Sequence, residues 1–145
     1  MTVAEIMTTE LITASMDDTL GGIRKAFELN HFHHIPIVRD NRLVGIVSDR
    51  DVLRNLSSRA DTVNANDQAL NTLKKKTHQI MTRKVITINP EDTIEAAAAT
   101  MLENKFNCLP VLEPSGAIVG IVTKTDLLRS LAVLPVGQLT AEKST

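Results

Sequence analysis

Tryptophan and tyrosine are absent from this 145-residue chain, and phenylalanine occurs only three times. With no aromatic platforms to stack on bases, single-strand nucleic-acid binding of that kind is not expected. An excess of either charge is also missing: 16 basic and 17 acidic residues give a formal net charge of -1 and a pI near 6.4. Such a surface has no field to draw in nucleic acid or an anionic membrane, and neither is expected as a partner. No apolar run approaches the roughly 20 residues needed to cross a bilayer. The opening residues Met1-Thr2-Val3-Ala4-Glu5 lack the basic stretch and apolar core of a signal peptide. Cys108 is the only cysteine, so an internal disulfide is impossible. A reducing, cytoplasmic setting is the expectation.

What the chain does have, it has twice. Ile6-Met7-Thr8 returns as Ile80-Met81-Thr82, Asp18-Thr19 as Asp92-Thr93, and Pro36 as Pro110. Val44-Gly45-Ile46-Val47 returns as Val119-Gly120-Ile121-Val122, and Asp51-Val52-Leu53-Arg54 as Asp126-Leu127-Leu128-Arg129. The offset is 74 residues up to Pro110 and 75 from Val119, a slip that marks a turn insertion at Gly116. A unit of about 55–60 residues barely buries a core alone. Two such units are expected to pack on each other and form related clefts.

The pattern within each half predicts an α/β (α+β) chain of two β-α-β-β-α repeats, over 1–58 and 77–134. A polar linker (59–76) joins them and a flexible tail (135–145) follows. A short first strand is expected at Glu10–Thr13 and at Lys84–Ile88. The acid-rich stretches before Thr19 and Thr93 suit helix starts. Leu20, Ile23 and Phe27, and likewise Ile94, Ala97, Ala98, Met101 and Leu102, recur at helical spacing. These helices end near Asn30 and Asn104. Two strands follow, Ile35–Val38 with Leu43–Val47 and Leu109–Leu112 with Ile118–Val122. The prolines sit at strand starts, where a missing donor is tolerated. A last helix begins at Ser48 or Thr123. Ala69, Leu70 and Leu73 could add a helical turn in the linker, and Lys74-Lys75-Lys76 reads as a solvated face.

The most informative short motif is Gly45-Ile46-Val47-Ser48-Asp49-Arg50-Asp51, echoed by Gly120-Ile121-Val122-Thr123-Lys124-Thr125-Asp126. One reading is a capping box, with Ser48 or Thr123 capping the helix and the Asp three residues on reaching back. The other is a ligand site. Free N–H groups at a helix N-terminus favour phosphate, and a nearby carboxylate can accept both hydroxyls of a ribose. The two readings are compatible.

These ordered, duplicated motifs resemble a tandem pair of CBS (cystathionine-β-synthase-type) domains, a Bateman module, over about residues 3–57 and 77–133. The run Leu43–Asp51 and the long linker are similar to bacterial acetoin-utilisation-type CBS proteins. The resemblance implies two repeats packed through their sheets with pseudo-twofold symmetry, and two clefts that take adenosine-containing ligands. It assigns Asp51 and Asp126 to ribose, and Ser48 and Thr123 to ribose or phosphate. Thr13 and Thr87 fall near the base. The backbone of Ile35 and Leu109, before Pro36 and Pro110, reads the adenine edge, and Ile46 and Ile121 clamp it. Some members carry a His-Arg pair before the proline strand. His33-His34 matches this in part, whereas Asn107-Cys108 departs from it. Arg50, Lys124, Arg54 and Arg129 are further candidates for phosphate. The halves are therefore expected to differ, one cleft favouring phosphates and the other weak or empty.

Rival chemistry is less supported. His31, His33 and His34 suit a loop or surface role, or phosphate contact; as metal ligands they lack companions at motif-like spacing. Cys108 lacks a partner set for nucleophilic catalysis. The expectation is a non-enzymatic sensor of an adenine nucleotide (AMP, ADP or ATP) that needs no catalytic cofactor. S-adenosylmethionine or a dinucleotide is an alternative ligand. It would form a homodimer and signal to an effector protein. The alternative function is a dimerising accessory protein without a physiological small ligand.

Overall fold

The computed structural model describes residues 1–57 and 71–132. The expected tail, most of the expected linker, and Ala69 and Leu70 lie outside the described residues. Among the described residues the main elements are α1 (Val3–Ile6), α2 (Leu20–Leu29), β1 (His34–Arg39), β2 (Arg42–Ser48), α3 (Asp49–Ser57), α4 (Ile94–Asn104), β3 (Cys108–Leu112), β4 (Ile118–Thr123) and α5 (residues 124–132). A short helical segment at 71–73 and a 3-10 turn at Thr77–Gln79 complete the described elements. The strands form two antiparallel hairpins, β1–β2 and β3–β4.

The chain divides into two compact units whose boundaries are offset from the sequence repeats. One unit is Ile12–Val85; the other joins Met1–Leu11 to the chain from Ile86 onward. Ile80-Met81-Thr82 of the second repeat therefore packs on the first hairpin, and Ile6-Met7-Thr8 of the first repeat on the second hairpin. Ile46 and Thr82 exchange both backbone hydrogen bonds, as do Ile121 and Thr8. The end of the expected linker is also docked: the Leu20 N–H donates to the Lys75 carbonyl and the Thr77 N–H to that of Asp18, each at 2.8 Å.

The first expected strand of each half does not form. Only Ala14 bridges Ile37, and only Ile88 bridges Val111, both in parallel. The reason is proline. The Ala14 N–H donates to the Pro36 carbonyl, and the Val38 N–H donates to the Ala14 carbonyl. Continuing that ladder to Ile12 would require an N–H on Pro36, which has none. Pro110 stops the ladder beyond Ile88 in the same way.

The remaining elements follow local chemistry. Thr19 accepts from the Gly22 N–H and Thr93 from the Ala96 N–H, capping α2 and α4. Asp18 and Asp92 fold the preceding turns by accepting from the Ser15 and Asn89 N–H groups. That is a structural role for carboxylates that could pass for an acid–base pair. The first hairpin closes through Asp40 (φ 52°) and Asn41 (φ 63°), the two left-handed residues that a primed turn demands. The second closes through a longer loop with Gly116 at φ 92°, which accounts for the one-residue slip. Alternate strand residues turn inward. Ile35, Ile37 and Val47 meet Leu20, Ile23, Val52 and Met81, while Leu109, Val111 and Val122 meet Val3, Ile88, Ala97 and Met101.

Candidate functional site

Each hairpin runs directly into a helix, and at that junction the repeated Ser/Thr-x-x-Asp motif forms a capping box. The Ser48 N–H donates to Asp51 Oδ2 at 2.9 Å, and the Asp51 N–H donates to Ser48 Oγ at 3.1 Å. The Thr123 N–H donates to Asp126 Oδ2 at 2.9 Å, and the Asp126 N–H to Thr123 Oγ1 at 3.2 Å. The first residue of each helix is occupied too: the Asp49 N–H donates to the His33 carbonyl and the Lys124 N–H to that of Asn107. The expectation of free helix-start N–H groups is corrected accordingly. The first and third N–H groups have internal acceptors, so at most the second, on Arg50 and on Thr125, is left for an anion beside the side chains.

The two carboxylates are not equivalent. Asp126 is buried, at 5% exposure. Besides its Thr123 bonds it lies within 3.4 Å of Thr8 Oγ1 and of Arg129 Nη1. Asp51 is 16% exposed, with Arg54 Nη1 at 3.6 Å. The Thr8 bonds have no counterpart from Thr82 to Asp51 among the described residues. Thr8 was not assigned a role from sequence, although its place in the repeated Ile-Met-Thr motif was the available signal.

Around these junctions, Ile35, Pro36, Leu109 and Pro110 are buried, as is Ile121, whereas Ile46 is half-buried. Thr13 and Thr87 are exposed, one residue before the Ala14 and Ile88 bridges. Arg50, Lys124 and Asn107 are exposed. His33 is committed to a carboxylate, with Nδ1 2.8 Å from Asp49 Oδ2. Asp49 is a second residue that the sequence pattern did not single out. Burial pushes the His34 imidazole below its ordinary pKa, and the nearby Asp49 opposes that shift. Among the described residues no group of three or more His, Cys, Asp or Glu is placed to hold a metal ion. No helix among them is long and apolar enough to cross a membrane.

Cys108 is buried, and its thiol is pushed up to about 12, first by burial and then by Asp126. Alkylation by iodoacetamide at pH 8 is expected to be slow in the folded protein and fast once urea unfolds it. The folded pKa exceeds the 9.0 of the free thiol. The associated stability is thus fully present below pH 9 and declines as pH rises toward 12. Rapid labelling of the native protein would contradict this burial.

The model of the CBS domain matches residues 3–58 and 78–133. Among solved structures, AcuB from Vibrio cholerae is 25% identical with a TM-score of 0.75, covering 100% of this chain and 97% of that one. CBSX2 from Arabidopsis thaliana, in complex with AMP, is 26% identical with a TM-score of 0.78, covering 92% and 98%. The CBS domain pair of protein MJ0100, in complex with 5'-methylthioadenosine and S-adenosyl-L-methionine, is 28% identical with a TM-score of 0.75, covering 91% and 96%.

Proposed function

The chain belongs to the CBS domain family, and on that premise we propose that it is a non-enzymatic regulatory module binding an adenine nucleotide of the AMP, ADP or ATP class. Asp51 and Asp126 hold the ribose, with Ser48 and Thr123 beside them. One observation carries the reading: each aspartate is fixed by its capping box at a hairpin-to-helix junction, with the second carboxylate oxygen held by long contacts, an arginine at 3.4–3.6 Å and, at Asp126, the Thr8 hydroxyl at 3.4 Å. A ribose diol can displace such a weak partner, and its two hydroxyls are then charge-assisted donors. The adenosine compounds bound by CBSX2 and by the MJ0100 pair support the ligand class. Binding shifts the population of module conformations, and an effector protein reads that shift. A cytoplasmic location is part of the proposal.

The test is a thermal-shift screen against AMP, ADP, ATP and S-adenosylmethionine, with guanosine counterparts. A ligand at about 100 times its dissociation constant adds roughly 2.7 kcal/mol. Asp51→Ala together with Asp126→Ala is expected to abolish that gain. Because both residues cap helices, the ligand-induced shift is compared with each variant's own baseline.

A second reading is favoured by the exposed leucines on four helices: Leu29, Leu53, Leu102, Leu128 and Leu131 are 57–78% exposed. They suit a homodimer interface, and a dimerising accessory protein would need no small ligand. A flat screen combined with a dimer in sedimentation would favour that reading.

A further inference from the structure

We infer that the residue following each capping hydroxyl sets the charge of the ligand, so that the Asp126 site takes phosphate-bearing adenosine compounds and the Asp51 site takes neutral or cationic ones. This inference rests on the adenosine-binding reading above and divides it between the two sites.

The two helix starts share their hydroxyl, aspartate and arginine and differ in charge at the two positions between hydroxyl and aspartate. Ser48 and Thr123 both cap, Asp51 and Asp126 both close the box, and Arg54 and Arg129 each approach their own aspartate. Between hydroxyl and aspartate, α3 carries Asp49 and Arg50, whereas α5 carries Lys124 and Thr125. Over 49–54 two acids offset two bases, while over 124–129 one acid faces two bases. The backbone does not distinguish the two sites, because the first and third N–H groups of both helices have internal acceptors in the same pattern. The histidines do not compensate. His33 has Nδ1 engaged with Asp49 Oδ2 at 2.8 Å, so that nitrogen is not directed at a phosphate. Burial favours the neutral form of His34. A phosphate next to Asp49 therefore meets a carboxylate in a stretch whose charges balance, with Arg50 beside it, whereas one next to Lys124 meets an exposed ammonium group in a stretch with one net positive charge. At separations of a few ångströms, reversing one such charge changes anion affinity by about tenfold even in a largely aqueous dielectric.

The experiment is calorimetric titration of the full chain with two probes, adenosine and AMP, at low and at physiological salt. The wild type is expected to bind adenosine at both sites but AMP at one, with only AMP affinity falling as salt rises. Lys124→Asp is expected to weaken AMP binding at least tenfold while leaving adenosine within twofold. Asp49→Lys is expected to create a second AMP site. Lys124 is exposed and an acid suits the first turn of a helix, so that variant should fold. It decides the matter alone if Asp49→Lys does not fold. AMP filling two equal sites in the wild type, or Lys124→Asp binding AMP as the wild type does, overturns the charge assignment and leaves adenosine binding standing. Failure of both probes to bind the wild type overturns the assignment and the reading beneath it together.

Discussion

Deletion of residues 1–11 is expected to unfold the unit built on the second hairpin, more than 70 residues away in sequence from the cut, and to spare the first hairpin. Val3 is completely buried among Ile88, Ala97, Met101, Leu109, Val111 and Val122, with Ile6 and Met7 packed against the same cluster. The backbone is equally committed. The Val3 and Ala4 N–H groups donate to the carbonyls of Asp92 and Pro90, and Thr8 exchanges two hydrogen bonds with Ile121. Removing one fully buried valine, two partly buried apolar side chains and these bonds is expected to cost about 3–5 kcal/mol. That is a large share of the roughly 5–15 kcal/mol that holds a domain together. Native-state hydrogen exchange provides the check. Amides of β3 and β4 should lose protection in the deletion variant, while those of β1 and β2 keep it. Equal loss in both hairpins would show that the units unfold together. Full protection in both would show that the N-terminal segment contributes little.

Much of this architecture was legible in the sequence because local chemistry decided it. The hairpins and the helices that follow them are set by β-branched runs, turn residues and capping hydroxyls, all within a few residues of the structure they form. Even the register slip at Gly116 was readable, because a single insertion displaced every later match by one. The failures have non-local causes. Glu10–Thr13 and Lys84–Ile88 have strand composition, but a ladder also needs donors on the neighbouring strand, and Pro36 and Pro110 remove them. The exchange of the Ile-Met-Thr segments between hairpins was invisible for a related reason. Two nearly identical motifs can pack on either of two nearly identical hairpins, and the sequence pattern alone does not choose.

The capping boxes of the candidate site were legible for the same reason. The Ser48–Asp51 and Thr123–Asp126 pairs stood out because they are local and repeated, and the structure joins them by hydrogen bonds. Thr8 and Asp49 were missed because their partners are Asp126, 118 residues away in sequence, and His33, 16 residues away. The motif fixes which residues face the junction, and its neighbours fix the charge there. That explains how two repeats with one motif can present different electrostatics.

Gly45→Ala and Gly120→Ala are each expected to destabilise the protein by about 1–3 kcal/mol, the usual cost of overpacking. A Cβ at Gly45 would fall 2.6 Å from Met81 Sδ, 3.0 Å from Met81 Cγ and 3.0 Å from the Thr82 carbonyl oxygen. At Gly120 the corresponding distances are 2.6 Å to Met7 Sδ, 2.9 Å to Met7 Cγ and 3.1 Å to the Thr8 carbonyl. A methionine end is flexible and can swing away. The carbonyls cannot, because Thr82 and Thr8 are pinned by their paired hydrogen bonds to Ile46 and Ile121. Strand position gives no other reason for glycine here, since neither residue has a left-handed φ. The glycines are needed because each hairpin is crossed at that point by an Ile-Met-Thr segment from the other sequence repeat, which ties two of the repeated motifs into one packing rule. Urea denaturation of both variants gives the magnitude, and a double-mutant cycle gives the cause. Met81→Ala should be markedly less damaging in the Gly45→Ala background, with a coupling of about 1 kcal/mol. An additive pair would mean that the pinned carbonyl, not the methionine, sets the cost. A Gly45→Ala variant within 0.5 kcal/mol of wild type would mean that the segment can lift from the hairpin at little cost, contrary to the close approach on which the offset units depend.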